Sequence, residues 1–313
     1  MLDAAALEQY ERDGYIVLTD AFPDLAGLTR DFVRAYRQVR EPAPVEDGKG
    51  NKFRTRAQVP GSYWSALDHS LPALRIVLHE RVVELGRQLL GERDIYLRNG
   101  GVNEMAPGIA VGWHRDSAGY FHAGEETWSE FMHYPFADGK GCGPSRGCLR
   151  VIPGSHTWDE QRVAAFTEQT EGLRVAAGLP AAYADRRDTD VEPTVSGEVS
   201  VSLGPADLLI RRGSIYHCAH ANTTDDGRLM QHWLFRSHDH APNNHRFRWE
   251  DYLSEDLIER LSPAQHEVLW LGRGQELDGR FDAEREAELG VVKWGTIDAE
   301  PALAVGAGGG PRL

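Results

Sequence analysis

The stretch "VGWHRDSAGY" at residues 111–120 places a histidine and an aspartate two positions apart, at His114 and Asp116. An imidazole and a carboxylate are side chains with which proteins bind transition metals. If residues 111–116 form a strand that runs into a loop, the two side chains share a face, because alternate residues of a strand point the same way. One such pair is also expected by chance in a chain of 313 residues with 13 histidines. The pair therefore indicates either two metal ligands or an ordinary surface pair.

A third ligand would have to come from another strand, and the best candidate lies in residues 204–235. This segment reads as three strands, joined by a tight turn at Gly213 and a polar turn, with His217 in the middle strand. Two histidines and one carboxylate can hold Fe(II) and leave the opposite positions open for substrate and oxygen. Arg228 begins the last strand, and we expect a hairpin to bring it and His217 to one cavity. Its fork-shaped guanidinium is suited to a carboxylate.

Other residues compete with these interpretations. His220 is an alternative to His217 as a ligand, and the adjacent Cys218 is reminiscent of a zinc site, although residues 217 and 218 of a strand face opposite sides. Arg228 could instead be a solvated turn residue. The histidines of "SHDHAPNNH" (237–245) are typical of an exposed polar loop, and we assign them no role.

The elements around these residues predict a mainly β protein with flanking helices. Short β-prone runs separated by Gly, Pro, Asn and Asp form a β core at roughly 94–237, which favours an antiparallel sandwich or barrel over βαβ units. Periodicity predicts helices at 3–12, 26–39 and 73–90, a strand at 15–18, and a polar, partly helical insert at 156–193. We expect a single domain over 1–305, with N-terminal helices in 1–92, a long loop near 40–62, C-terminal helices in 245–275, and a disordered tail at 306–313.

The composition limits the partners and the location. A net charge of −14 argues against nucleic acid or an anionic membrane surface as the main partner, because both reward clustered Lys and Arg. No apolar run approaches the length that crosses a bilayer, and the acidic N-terminus resembles no signal peptide. The three cysteines, Cys142, Cys148 and Cys218, do not suggest a disulfide framework. These observations predict a cytoplasmic location and leave the oligomeric state open.

Four segments, in order, carry a resemblance to a known family. They are "YERDGYIVLTDAF" (10–22), "WHRD" (113–116), "GCLRVIPGSH" (147–156) and "ADLLIRRGSIYHCAHANTTDDGR" (206–228). Taken together, they make the chain, over roughly residues 8–236, resemble the phytanoyl-CoA dioxygenase family of Fe(II)- and 2-oxoglutarate-dependent oxygenases. The resemblance implies a double-stranded β-helix, the jelly roll also called a cupin-like barrel.

The resemblance also implies roles for individual residues. His114, Asp116 and His217 would bind Fe(II), Arg228 would bind the distal carboxylate of 2-oxoglutarate, and Asn103 would make a polar contact to this cosubstrate. The chain departs from the family at Ala219, where a serine is frequent, and at "GPAD" (204–207), which stretches the usual Gly-Asp. An aspartate at position 116 argues for oxygenation over halogenation, since related halogenases carry a small residue there.

The expected activity is oxidation of a C–H bond in a small-molecule metabolite, such as a natural-product intermediate. O₂ would be consumed and 2-oxoglutarate converted to succinate and CO₂. Hydroxylation is the default outcome, while desaturation or ring closure would use the same ligands. One alternative is a non-oxidative cupin-like isomerase or hydrolase with Zn or Mn at the same ligands, which would not need Arg228. Another is a binding module without catalysis.

Further residues could contribute to the cavity. The turn at 153–156 is expected to shape the cavity mouth, and a contact of His156 with substrate is the alternative. The pocket walls are expected from 41–63, 156–193 and the C-terminal helices. The following residues could line the pocket or belong to the core: Trp113, Tyr120, Phe121, His122 and His133.

Overall fold

The computed structural model of the chain describes residues 1–38, 45–46, 52–54, 71–91, 94–105, 107–116, 128–133, 141–181, 185, 189–237, 255–269 and 271. Its helices are α1 (Ala4–Asp13), α2 (Leu25–Gln38), α3 (Leu71–Val77), α4 (Glu80–Leu89), α5 (Glu160–Ala176), α6 (Glu255–Arg260) and α7 (Pro263–Val268). Its strands are β1 (Tyr15–Leu18), β2 (Val45–Glu46), β3 (Lys52–Arg54), β4 (Ile95–Met105), β5 (Val111–His114), β6 (Trp128–His133), β7 (Leu149–Val151), β8 (Val199–Val201), β9 (Leu208–Arg212), β10 (His217–Ala219) and β11 (Arg228–Ser237). Among these helices, none combines the length and the apolar character needed to cross a bilayer.

The strands form two antiparallel sheets. The major sheet has seven strands in the order β1-β9-β6-β11-β4-β3-β2, and the minor sheet has four in the order β5-β10-β7-β8. From β4 to β7 and again from β8 to β11, each strand lies in the other sheet from the strand before it, so the chain repeatedly crosses from one sheet to the other. Two antiparallel sheets with helices on their outer sides confirm the expected jelly-roll class.

The inner faces of the two sheets pack against each other through an apolar cluster. Leu149 and Val151 contribute to it from β7, Leu209 from β9 and Met132 from β6. The alternate residues of β6 and β9 point outward: Phe131 and its neighbours belong to a second, larger cluster. This period-two alternation assigns the described side chains of these strands to the inner or the outer face.

The larger cluster lies between the outer face of the major sheet and the helices α1 to α4, α6 and α7. α1 begins at the Asp3 cap, whose carboxylate accepts from the Ala6 N–H at 2.9 Å. It ends at Gly14, whose φ of 78° is the left-handed conformation that glycine adopts without strain. The imidazole of His156 packs on Gly14 where any Cβ would stand. This close approach joins the end of α1 to the turn after β7.

The outer face of the minor sheet is covered by α5. Trp113 of β5 meets Phe166 of α5 edge-on, with ring centroids 5.7 Å apart. The segment after α5 is held by Arg174, which is fully buried and pairs with Glu192 and Asp190. Removing one partner of such a buried ion pair is strongly destabilising, because the other charge is left without compensation. The insert at 156–193, expected to be partly helical, is therefore a structural support for the minor sheet.

Several sequence-based expectations need correction or extension. The predicted helix 73–90 is two helices, α3 and α4, which meet at His79, the N-cap of α4. The expected β core of 94–237 is extended by β1, β2 and β3, which precede residue 94 and join the major sheet. β2 and β3 lie within the segment that was expected to be a long loop. The hairpin expected between His217 and Arg228 was wrong: β10 and β11 belong to different sheets, because the chain crosses between them. The tail at 306–313, the loop at 238–245, and Tyr120, Phe121 and His122 lie outside the described residues.

Candidate metal centre

The two candidate histidines are direct partners across the minor sheet. β5 and β10 pair antiparallel, and His114 is opposite His217 in the register. The centroids of the two rings are 4.1 Å apart. Both side chains point inward, because their neighbours Trp113 and Cys218 belong to the cluster under α5 on the outer face. The pairing of two short strands therefore brings together residues that are far apart in the sequence.

Each imidazole is oriented by a backbone carbonyl of its own strand segment. Nδ1 of His114 is 2.7 Å from the Gly112 carbonyl oxygen, and Nδ1 of His217 is 3.0 Å from that of Ile215. A neutral imidazole that donates its Nδ1–H to a carbonyl keeps a lone pair on Nε2. Metal-binding histidines are commonly fixed in this tautomer by such a contact. Both Nε2 atoms are directed towards the carboxylate of Asp116.

Asp116 follows β5 and completes the cluster. Its N–H donates to the Gly213 carbonyl at 3.2 Å, which ties the end of β5 to the crossing between β9 and β10. His114 Nε2 lies 3.4 Å from Asp116 Oδ1, and His217 Nε2 lies 3.8 Å from Oδ2. One ligand atom from each of the three residues lies within 4.8 Å of the others. Ligand atoms bonded to one ion at about 2.1 Å are separated by about 3–4 Å, so the cluster fits a single metal ion.

A residue that sequence reasoning missed touches this carboxylate. The guanidinium of Arg211 donates from Nη2 to Asp116 Oδ2. Arg211 is almost fully buried, with 2% of its side chain exposed, and its Nε lies 3.3 Å from Met132 Sδ. A usable signal was present: in "LLIRR" (208–212) strand alternation requires one of the two arginines to share the inner face with Leu209.

The charges around the site favour an ionised carboxylate and a neutral His217. Removal from bulk water opposes ionisation of Asp116, but the charge of Arg211 and the proximity of the two imidazoles, His217 and His114, hold its pKa well below its usual range. Burial, together with the charge of Arg211, lowers the pKa of His217 well below the usual value. Burial also disfavours protonation of His114, but the hydrogen bond to Asp116, the charge of that carboxylate and the contact with the Gly112 carbonyl together outweigh this and raise its pKa. An anionic carboxylate and a neutral imidazole are the forms that bind metal.

Arg228 lies on the inner face of the major sheet. Leu229 points into the outer core and Met230 packs on the inner cluster, so alternation turns Arg228 inward. Its guanidinium is buried and donates from Nη1 to the Gly147 carbonyl, close to the thiols of Cys142 and Cys148. Burial raises the pKa of Cys142 to about 12 and that of Cys148 to about 11, so both thiols are neutral. Neutral thiols do not offset the charge of the arginine.

The remaining candidates fall in different places. Asn103 lies on β4 opposite Met230 of β11, two positions along from Met105, which pairs with Arg228. His220 is not part of the cluster, since its Nε2 lies 2.8 Å from the Ser200 hydroxyl on the neighbouring strand region. Cys218 faces the outer cluster, where burial raises the pKa of its thiol.

The Pro-Gly-Ser-His turn supports the strand that carries His217. Ser155 is fully buried, and its hydroxyl accepts from the Tyr216 N–H at 2.8 Å, one residue before His217. His156 is directed away from the cluster, with Nε2 3.0 Å from the Glu11 carbonyl oxygen of α1. The suggested substrate contact of His156 was therefore wrong. Ser155 was missed as a supporting residue, although the motif that contains it was recognised.

Two suggested pocket residues belong to the core. Trp113 lies on the outer face of the minor sheet, against Phe166 of α5. His133 lies on the outer face of the major sheet, where its Nε2 is 2.9 Å from the Thr29 hydroxyl of α2. Burial lowers the pKa of His133 to about 4, which keeps it neutral. Neither side chain reaches the space between the sheets.

The fold and the cluster together define a class: a jelly roll whose inner face carries two histidines and one carboxylate on the minor sheet. The family model described as Phytanoyl-CoA dioxygenase (PhyH) matches residues 10–230. The chain belongs to this family. The match includes all three residues of the cluster, Arg211 and Arg228.

Individual relatives share only low sequence identity with this chain. An ectoine dioxygenase of Stutzerimonas stutzeri (strain A1501) is 29% identical over 173 residues, which are 53% of this chain and 54% of the relative. The chain spans about half the length of the curated relatives it matches. Among solved structures, HygX from Streptomyces hygroscopicus with nickel and 2-oxoglutarate bound superimposes with a TM-score of 0.55 at 15% identity, covering 76% of this chain and 88% of that one. The non-heme alpha ketoglutarate dependent epimerase SnoN from nogalamycin biosynthesis gives 0.51 at 20% identity, covering 75% and 84%. At these identities the structural likeness establishes the fold.

Proposed function

We propose that this protein is a non-haem Fe(II)- and 2-oxoglutarate-dependent oxygenase that oxidises a C–H bond of a small-molecule metabolite. The observation that carries the proposal is the convergence of His114, Asp116 and His217 within 4.8 Å on the inner face of the jelly roll. Family membership supports it, and so does the name of the relative, ectoine dioxygenase, which designates oxidation of a small molecule.

His114, Asp116 and His217 hold the metal ion in this proposal. A ferrous ion bound there, with O₂ and 2-oxoglutarate, supplies the oxidising power for C–H cleavage as the cosubstrate is converted to succinate and CO₂. The donor set suits this ion, because two imidazoles and one carboxylate leave several coordination positions unfilled by protein. A closed structural zinc site would instead be expected to have four protein ligands.

Arg228 binds the distal carboxylate of 2-oxoglutarate. Gly147, which accepts from its guanidinium, precedes β7 by two residues, and Val151 of β7 is paired with His217. A strand rise of about 3.3 Å per residue separates Gly147 from Val151 by on the order of 10 Å. A five-carbon dicarboxylate can bridge such a gap with a metal bond at one end and a hydrogen bond at the other. Asn103 is proposed as an additional polar contact on β4.

Hydroxylation is the proposed default outcome. The protein residues contribute by holding the cosubstrate in one orientation and by keeping the reacting C–H bond in place away from bulk water. A cytoplasmic location is proposed with it, because the three cysteines are free and buried.

The proposal is tested by anaerobic addition of Fe(II) and then 2-oxoglutarate to the metal-free protein. A weak visible charge-transfer band is expected only with both present, and Asp116→Ala and His217→Ala should abolish it. His220→Gln is the matched control, since that imidazole pairs with Ser200 outside the cluster and its loss should leave the band unchanged. A wild-type protein that binds metal but gives no band would refute the oxygenase and favour the non-oxidative metalloenzyme.

Arg228→Met separates the cosubstrate site from the metal site. This variant should bind Fe(II) as the wild type does, but should need at least tenfold more 2-oxoglutarate to develop the band, because a charge-assisted hydrogen bond contributes about 1.5–3 kcal/mol. Unchanged 2-oxoglutarate affinity in Arg228→Met would refute the role of Arg228.

A further inference from the structure

We infer that Arg211 is a positioning residue that restricts Asp116 to binding the metal through one oxygen. The inference rests on the proposed function and extends it to a residue outside the expected ligand set. Arg211 would touch neither the metal nor the substrate. It would act through the carboxylate that it contacts.

The inner-face position of Arg211 is fixed by β9. Leu208 and Ile210 point into the outer core, so Leu209 and Arg211 point between the sheets. Only 2% of the Arg211 side chain is exposed. A guanidinium is seldom buried without a partner that offsets the cost of removing its charge from water. That partner is the carboxylate of Asp116.

Two further contacts of Arg211 keep the guanidinium in one orientation. Nε lies 3.3 Å from Met132 Sδ, across the adjacent strand β6, and Nη1 lies 3.5 Å from the Arg212 carbonyl oxygen. Nη2 is thereby directed at Asp116 from the major sheet, while the histidines approach the carboxylate from the minor sheet. The carboxylate is therefore held between the two sheets.

The two oxygens of Asp116 have different surroundings as a result. Oδ2 accepts from Arg211, whereas Oδ1 lies 3.4 Å from His114 Nε2. An oxygen that already accepts a charge-assisted hydrogen bond from a guanidinium is a poorer metal ligand than the other oxygen of the same carboxylate. Oδ1 is accordingly the oxygen offered to the metal. A carboxylate that bound through both oxygens would occupy a position that a chelating 2-oxoglutarate needs.

The test uses the full-length protein loaded with Co(II), whose visible absorption reports the number and type of ligands and does not require turnover. The variants are Arg211→Met, which keeps the approximate volume without charge or donor, and Arg211→Lys, which keeps both. Arg212→Met is the matched control on the same strand, because Arg212 points outward to Glu11. Circular dichroism establishes that each variant is folded.

We expect Arg211→Met to bind Co(II) with an altered spectrum before any cosubstrate is added, since the second oxygen of Asp116 is released to the metal. We expect its affinity for 2-oxoglutarate to fall ten- to hundredfold, the range typical of residues that orient metal ligands. Arg211→Lys should restore the spectrum and bring the affinity within about threefold of the wild type, because a single N–H contacts Asp116. Arg212→Met should match the wild type.

The outcomes distinguish this inference from the proposed function. A wild-type protein that binds neither Co(II) nor 2-oxoglutarate refutes both. A wild-type protein that binds both, with an Arg211→Met variant of the same spectrum and affinity, refutes the role of Arg211 alone. A folded Arg211→Met variant that has lost Co(II) binding altogether also overturns the inference, because Arg211 would then be needed to assemble the ligands and not to set how Asp116 binds.

Discussion

Replacing Ser155 by alanine isolates the contribution of the turn behind the metal centre. In the folded protein the Ser155 hydroxyl accepts from the Tyr216 N–H at 2.8 Å, and Ser155 has no exposed surface. Alanine removes the acceptor and leaves a buried peptide N–H without it. The cost of such a group is about 1–3 kcal/mol, a sizeable part of the roughly 5–15 kcal/mol that stabilises a typical domain.

Urea unfolding of the metal-free protein, followed by circular dichroism, measures this cost. We expect the midpoint of Ser155→Ala to fall at an unchanged m-value, since the exposed surface on unfolding is the same. Thr157→Val is the control, because the Thr157 hydroxyl donates to the Gly154 carbonyl at an exposed position of the same turn. That variant should change the unfolding free energy by less than about 0.5 kcal/mol. A loss in Ser155→Ala no larger than in Thr157→Val would refute the reasoning.

The same variant tests whether the turn orients His217. The Tyr216 N–H precedes His217 directly, and the neighbouring Ile152 N–H donates to the Tyr216 carbonyl at 3.0 Å. Loss of one of these two restraints should weaken Co(II) binding by about tenfold, at the lower end of the effects seen when the support of a ligand is removed. Unchanged Co(II) affinity with reduced stability would restrict the role of Ser155 to folding.

Two further predictions concern stability. Burial lowers the pKa of His133 to about 4, against about 6.5 in an unfolded chain, so the unfolded state takes up the proton first as the pH falls. The stabilisation is complete above pH 6.5 and decreases as the pH falls towards 4, by about 2 kcal/mol at pH 5. Urea unfolding at pH 5–8 should therefore show a shallower pH dependence in His133→Gln than in the wild type. An equal slope in both proteins would contradict this. Gly14→Ala should lower the free energy of unfolding by about 2 kcal/mol, because the φ of this residue is 78° and an added Cβ would meet the His156 ring. The loss of stability should be smaller in a His156→Ala background, as measured by thermal or urea unfolding. An equal loss in that background would show that contact with the His156 ring contributes nothing to it.

Strand alternation, a local rule, predicted two members of the candidate metal centre, and the resemblance to the family implied the third. His114 and Asp116 share a face by spacing alone, and a third ligand was sought on another strand of the same β core. The register that places His217 opposite His114 is set by long-range pairing, which no local pattern encodes. Proximity in space therefore required the structure.

The errors arose where the path of the chain between sheets mattered. His217 and Arg228 were expected on one hairpin because they are close in sequence. In a jelly roll, however, successive strands can lie in different sheets, as β10 and β11 do. A short polar connection between two strands has the same sequence pattern whether it closes a hairpin or crosses between sheets. Arg211 was passed over because an arginine at the end of a strand is usually solvated. Its burial depends on a carboxylate from a distant part of the chain.

The pairing of β5 with β10 has a practical consequence for anyone preparing this protein. Sliding β10 by a single residue would exchange His217 for Tyr216 or Cys218 on the inward side, yet most backbone hydrogen bonds could re-form and far-ultraviolet spectra would barely differ. The number of metal ions taken up per chain thus counts the molecules that have folded in the native alignment. Fractional uptake at saturating Co(II), in a preparation with full helix and sheet content, is therefore the sign by which misaligned chains would be noticed, because spectroscopy of the backbone alone overlooks them.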